Sequence, residues 1–182
     1  MYDTIAAIAT TLSSSAISII RVSGTDAINI VDKIFSGNLK NKDSHTITYG
    51  YIKNNEEIID EVLVSIFKGP KSFTTEDVVE INCHGGIATT KRTLELLLEQ
   101  NIRLAEPGEF TKRAFLNGRI DLVKSEAVID LIESKSDEAR KIALSQLGGR
   151  TSNLITKFRD TLKYLLSSIE VNIDYPEYYD IE

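Results

Sequence analysis

Ser72-Phe73-Thr74-Thr75-Glu76-Asp77-Val78-Val79-Glu80-Ile81-Asn82-Cys83-His84-Gly85-Gly86 carries the signals that decide the fold. A polar loop follows Gly69-Pro70, a strand follows the loop, and a glycine pair stops the strand ahead of a helical pattern. Side chains alternate along a strand, so Val79, Ile81 and Cys83 share one face and Val78, Glu80 and Asn82 the other. The first face has core character. The second carries a carboxylate and an amide, which a strand placed only for packing does not need. Gly85 and Gly86 permit a tight turn with close backbone approach, and the following helix starts with free N–H groups, a ready anion site. An ordinary strand-turn-helix with a solvated polar face produces the same local pattern.

Upstream, residues 4–10 read as a short apolar strand and 11–15 as a polar loop. Residues 16–22 form a second strand, with Ile17, Ile19 and Arg21 on one face. Arg21 is the odd member of that strand. Either its stem covers apolar surface at the strand end, or its guanidinium is aimed into a pocket. Residues 26–35 have helical spacing. Residues 46–52 and 58–67 read as strands joined through Asn54-Asn55, a hairpin signal. The second of them is apolar on both faces and is expected to be central.

Downstream, residues 87–100 read as a helix with Leu94, Leu97 and Leu98 inward. A short strand or connector follows at 101–105. Pro107-Gly108-Glu109 opens a short helix expected to bury Phe110, Ala114, Phe115 and Leu116, and Asn117-Gly118 ends it. Everything after Asp121 is helical. One apolar stripe runs through Val128, Leu131, Ile132, Ala139, Ile142, Ala143 and Leu147, and a second through Leu154, Phe158, Leu162, Leu165 and Ile169. Both are read as core-facing. The chain closes on Tyr175-Pro176 and an acidic tail from Glu170 to Glu182. The helical part reads as the first half of a bundle without its return helices, which leaves Leu154, Phe158 and Leu162 partly exposed. The expected fold class is α+β: a mixed sheet of about five strands with packed helices over residues 1–118, then an incomplete all-α domain over 119–182.

Composition narrows the function classes. The chain has 182 residues, 42% hydrophobic and 26% charged, with a net charge of −6, one cysteine and two histidines. The negative charge argues against a large nucleic-acid surface on this chain alone. One cysteine excludes an intramolecular disulfide, and Cys83, His45 and His84 do not make a recognisable zinc site. No apolar run approaches the ~20 residues of a membrane span, and no signal-type pattern opens the chain, so a cytoplasmic location is expected.

Four groups of residues then form a set: Ile19-Ile20-Arg21-Val22-Ser23-Gly24; Ser72 to Glu80 with His84-Gly85-Gly86; Pro107 to Gly118; and Asp121-Leu122. In this order and spacing they resemble the N-terminal part of the tRNA modification GTPase family called MnmE or TrmE, over essentially the whole chain. The resemblance implies a folate-binding, dimer-forming α/β domain fused to the start of a helical domain. The family's Ras-like G domain, which carries GTP, Mg and K, interrupts that helical domain. No G-x-x-x-x-G-K-[ST] phosphate loop occurs here, and Asn41-Lys42-Asp43 lacks the spacing of a guanine-binding motif, so no GTPase activity is expected of this chain.

The resemblance further implies a homodimer through the N-terminal domain and a flavin-dependent partner protein, GidA or MnmG. With that partner the family adds an aminomethyl or carboxymethylaminomethyl group to the wobble uridine of tRNA. A tetrahydrofolate derivative, in its 5-formyl or 5,10-methylene form, is the implied ligand and one-carbon donor. The implied folate-contacting positions are Arg21, Glu80 and Arg119; family members often carry Lys where Arg119 stands. Glu80 suits the paired donors of a pterin edge, and the two arginines suit the anionic tail or stacking. No catalytic residue or metal ligand is assigned. His84 is read as capping the glycine turn, Cys83 as a small buried hydrophobe, and Glu76 as a loop residue that matters less than Glu80. Leu12-Ser13-Ser14-Ser15 replaces the family's usual Pro-Gly-x-Gly type loop. Alternative readings are a stand-alone folate-dependent aminomethyltransferase and a dimerisation module without a ligand.

Overall fold

The computed structural model describes residues 3–176. The chain divides into two compact units, Met1–Arg119 and Ile120–Glu182. The first holds strands β1 (Ile5–Ile8), β2 (Ile17–Ser23), β3 (Thr46–Asn54), β4 (Glu57–Phe67), β5 (Val78–His84) and β6 (Arg103–Leu104). Its helices are α1 (Ala27–Ile34), α2 (Ile87–Leu98) and α3 (Glu109–Leu116). The strands make one six-stranded sheet in the order β3-β4-β5-β2-β1-β6. Every neighbouring pair is antiparallel except β1 and β6, so the sheet is mixed. The sixth strand is the two-residue β6.

Alternation along the strands decides which face is covered. Ile20, Val22, Val79, Ile81, Cys83, Val62, Val64 and Ile66 are all buried and form the core with Val31 and Ile34 of α1 and Leu96 and Leu97 of α2. On α2 the inward residue that the spacing missed is Leu96, while Leu94 and Leu98 are half-buried. Cys83 is buried as expected, and burial pushes its thiol up to about 12, which leaves it unreactive at neutral pH. A Cβ on Gly85 would lie 2.3 Å from the carbonyl oxygen of Ser15, so close backbone approach requires glycine there.

The opposite face of the sheet is built differently. β4 is paired on both sides, by β3 and β5, as a central strand should be. Yet Leu63 on its second face is 46% exposed, and Ile17, Ile47 and Tyr49 are exposed beside it. At the other end of this face, Arg21, Ser23, Val78 and Glu80 meet α3 and the 72–77 loop through Phe110, Phe73 and Thr74.

α3 corrects its expected burial. Its inward residues are Phe110, Arg113, Ala114 and Asn117, the i, i+3, i+4, i+7 set of one helix face. Phe115 and Leu116 lie off that face, 40% and 50% exposed, while Glu109 and Arg113 are buried. Two charged residues can take core positions because they neutralise each other there, as an i, i+4 pair at 3.1 Å.

The second unit is helical throughout its described residues: α4 (Leu122–Glu133), α5 (Asp137–Leu147) and α6 (Arg150–Asp174). Asp121 caps α4 by accepting from the Lys124 amide at 2.8 Å, and Ser136 caps α5 by accepting from the Ala139 amide at 3.1 Å. The core expectation holds for Ala143 but not for all of the first stripe, and the expected exposure of Leu154, Phe158 and Leu162 in the second is found. Ala127 and Ala143 are the buried hydrophobic residues here, whereas Ile132 is 78% and Ile142 62% exposed. α6 has no buried residue, and Leu154, Phe158 and Leu162 are exposed. Three helices of this length do not enclose two apolar stripes; a fourth layer is needed to cover α6. Glu170 and Asp174 of the acidic tail fall in α6, and the tail beyond Pro176 lies outside the described residues. No described helix is long and apolar enough to cross a membrane.

Candidate functional site

Arg21 and Glu80 are opposite each other in the β2–β5 register. The expectation that the polar face of β5 carries function, and the open question of what Arg21 does, meet in this one pair. Arg21 Nε donates to Glu80 Oε1 at 2.8 Å and Nη2 lies 2.6 Å from the same oxygen. Both side chains are partly exposed. The Arg21 guanidinium also stands over two aromatic rings, Phe73 and Phe110, each 5.6 Å from its centre. A cation facing an aromatic ring gains roughly 0.5–1 kcal/mol at such a half-exposed position.

Arg119 joins the same group through Phe73. Its guanidinium lies 5.0 Å from the Phe73 ring centre, and Nη1 donates to the Phe73 carbonyl at 2.7 Å. Arg21, Glu80 and Arg119, far apart in sequence, therefore collect around one phenylalanine. On the Arg119 side a cavity of about 400 Å³ is lined by His45, Phe67, Pro70, Lys71, Ser72, Phe73 and Arg119. It mixes aromatic walls with cations, a surface suited to a flat, anionic ligand.

The residues have unused hydrogen-bonding capacity. Glu80 Oε2 accepts no hydrogen bond from a described residue, and Arg21 Nη1 donates none to one. The pair thus keeps one acceptor and one donor that no described residue uses. That donor set fits the edge of a heterocycle carrying both N–H groups and acceptors, and Phe73 and Phe110 supply the apolar slot. A carboxylate, two arginines and two aromatic rings are the groups that holding a folate would require.

The 72–77 loop is held from several directions. Ser23 Oγ lies 2.7 Å from Thr74 Oγ1 and donates to Glu76 Oε2 at 2.8 Å. Asn117 Nδ2 donates to the Thr74 carbonyl at 2.7 Å, and Ser72 Oγ to the Glu76 carbonyl. The Gly24 amide donates to the Asp77 carbonyl at 3.0 Å. Arg113 Nη1 lies 3.2 Å from each Glu76 carboxylate oxygen. Glu76 lies in the loop, as expected, and its partly buried carboxylate anchors that loop to Arg113 and Ser23. Glu109 accepts from Arg103 Nη2 at 2.6 Å and from the Glu106 amide at 2.8 Å. The Arg103 guanidinium, aided by that amide and by Arg113, holds its carboxyl down at about 2.

His84 is partly as expected. Its ring does not cap the glycine turn; Nδ1 lies 2.7 Å from Asp60 Oδ1, and its backbone amide donates to Asp60 Oδ2 at 2.8 Å. The Asp60 carboxylate, through that hydrogen bond and its charge, raises the His84 pKa above 6.5. The pair's contribution to stability is therefore complete below the unfolded-state value near 6.5 and is lost as pH rises through the folded value. In a proton NMR titration the His84 ring is expected to titrate above 6.5, and Asp60→Asn is expected to lower its midpoint. Equal midpoints in the two proteins would remove the Asp60 contact as the cause.

Sequence reasoning passed over Asp60, Arg113 and the positions of Phe73 and Phe110. One signal was present for Arg113: it stands four residues after Glu109, on the inward side of α3. Among the described residues no group of three or more His, Cys, Asp or Glu side chains could hold a metal ion.

Residues 4–119 match the family model described as the GTP-binding protein TrmE N-terminus, and residues 122–182 match that of the MnmE helical domain. A tRNA modification GTPase MnmE of Streptococcus thermophilus (strain CNRZ 1066) is 59% identical over 182 residues. Those of Lactococcus lactis subsp. cremoris (strain MG1363) and Bacillus cytotoxicus are 56% and 55% identical, over 182 and 184 residues. Each alignment takes in 100% of this chain but 40% of the relative's length. The chain therefore belongs to the MnmE (TrmE) family, its first unit matching the N-terminal model and its helical stretch the helical-domain model.

Proposed function

We propose that this chain is the folate-binding, dimer-forming module of a tRNA-modifying GTPase. The observation that carries the reading is the Arg21–Glu80 pair with Phe73 and Phe110 each 5.6 Å from the Arg21 guanidinium, and Arg119 5.0 Å from the same Phe73 ring. Glu80 accepts from the pterin edge, the aromatic rings flank the flat part of the ligand, and Arg119 and Arg21 neutralise its carboxylates. When bound, the folate supplies a one-carbon unit; this chain binds and orients it, and no residue here need act as nucleophile or general base. The flavin-dependent partner, GidA or MnmG, completes the transfer to the wobble uridine, and tRNA is gripped by the full complex. Titration calorimetry of the chain with 5-formyltetrahydrofolate tests the reading. Heat of binding with one folate per chain is expected; its absence from a verified dimer would favour a dimerisation module without a ligand.

The dimer is assigned to the N-terminal domain. The sheet-edge or loop surface around residues 4–15 is the expected interface; within it Ile5 and Ala6 of β1 are paired on both sides, by β2 and β6, which leaves the loop open. The exposed loop at 11–15 and the open sheet face with Ile17, Ile47, Tyr49 and Leu63 are the better surface. Leu63→Asp is expected to shift the chain from dimer to monomer in sedimentation at micromolar concentration, with circular dichroism unchanged. A Leu63→Asp protein that sediments as the wild-type dimer would place the interface elsewhere.

A further inference from the structure

Phe73 and Phe110 come from different segments, a loop and a helix, yet they flank one guanidinium at equal distances of 5.6 Å. That spacing depends on what holds the two segments together, and both end on the same buried cation. Arg113 is 2% exposed. Its Nη1 reaches both oxygens of Glu76 on the loop at 3.2 Å, and its Nη2 reaches Glu109 at the start of α3 at 3.1 Å. The same guanidinium donates to the Asp3 carbonyl at 2.8 Å and to Asp3 Oδ1 at 3.0 Å, just ahead of β1. Glu76 in turn accepts from Ser23, two residues from Arg21 on the same face of β2. Phe110 precedes Arg113 by three residues, on the same side of α3.

We propose that Arg113 is the positioning residue of the Arg21–Glu80 site, tying the loop and α3 to the sheet so that Phe73 and Phe110 stand at a fixed separation around Arg21. It acts through Glu76 and Glu109 and not on the ligand itself. The role demands arginine. A planar fork of five N–H donors serves three carboxyl-bearing residues and a carbonyl at once; a lysine offers one nitrogen and reaches fewer of them. For its effect on affinity the inference rests on the folate reading of the site; for the placement of Phe73 it does not.

The experiment uses the whole chain. The protein has no tryptophan, so Phe73→Trp creates a single reporter that keeps an aromatic wall. In that background Arg113→Lys and Glu76→Gln are compared with the parent. Ile81→Val, a core change remote from the loop, controls for loss of stability. Three quantities are read: circular dichroism, acrylamide quenching of the introduced indole, and affinity for 5-formyltetrahydrofolate. In Arg113→Lys the quenching constant is expected to roughly double, as for a segment released to local opening. Folate affinity is expected to fall about tenfold, the scale of one charged hydrogen bond. Glu76→Gln should move both readouts the same way by less, and Ile81→Val should move neither. A folded Arg113→Lys protein with unchanged quenching overturns the proposal. If Arg113→Lys fails to fold, the same readouts in Glu76→Gln decide. If the parent binds no folate, the folate reading fails, and the quenching arm still judges the positioning role.

Discussion

Replacing Glu80 by Ala is expected to lower folate affinity about thirtyfold, a loss on the order of 2 kcal/mol, because the ligand's paired donors and Arg21 both lose their acceptor. The geometry makes this larger than the loss of one contact. Glu80 Oε1 already accepts from Arg21 Nε and pairs with Nη2, which leaves Oε2 for a ligand. Removing the carboxylate therefore frees the Arg21 guanidinium to swing between the Phe73 and Phe110 rings. Glu80→Gln keeps the shape and one acceptor but not the charge, and is expected to cost less, about tenfold. Arg21→Ala is expected to cost about as much as Glu80→Ala, since the ligand loses an anion partner and Glu80 its counter-ion. The measurement is calorimetric titration with 5-formyltetrahydrofolate, alongside circular dichroism. Folded Glu80→Ala and Arg21→Ala proteins that bind as tightly as the parent would place the pocket elsewhere.

The second large effect is on stability. Arg113→Met is expected to destabilise the N-terminal unit by about 3–5 kcal/mol, the usual cost of removing one partner from a buried ion pair. The methionine fills similar volume, so the loss does not come from a cavity. It comes from Glu76 and Glu109, whose side chains are 10% and 8% exposed and lose their shared cation. Glu109 keeps Arg103, so Glu76 bears most of the cost. Glu76→Gln in the Arg113→Met background is then expected to restore part of the stability, a coupling that a double-mutant cycle reads directly. The pH dependence has a definite sign. With its folded-state pKa held at about 2 against 4.5, Glu109 contributes stability above pH 4.5 that is lost as pH falls toward 2. Glu109→Gln should flatten the stability profile in that window. Arg113→Met with an unchanged denaturation midpoint would mean that the network contributes nothing to the fold.

Much of the molecule follows from local rules that act within a few residues. Period-two alternation assigned Val79, Ile81 and Cys83 to the core, and all three are buried. The Asn54-Asn55 turn, the glycine pair at 85–86 and the change to all-helical sequence after Asp121 set the element order. The set of motifs from Ile19 to Leu122 identified the family, and the family models agree. These signals are readable because backbone geometry ties side-chain direction to sequence spacing.

Only the tertiary structure decided which faces are covered and which residues become neighbours. Apolar spacing placed Phe115 and Leu116 inside and left Arg113 unremarked, but Asp3 and Glu76 from distant segments join Glu109 of the same helix in neutralising that arginine, so the charged side of α3 is the buried one. The apolar stripe of α6 is exposed, as the expected lack of return helices implied, because a stripe shows that a face needs covering and not that anything covers it. Arg21 reads as covering apolar surface or entering a pocket. Strand register gives it a partner that neither reading contains, by setting Glu80 directly opposite, 59 residues away.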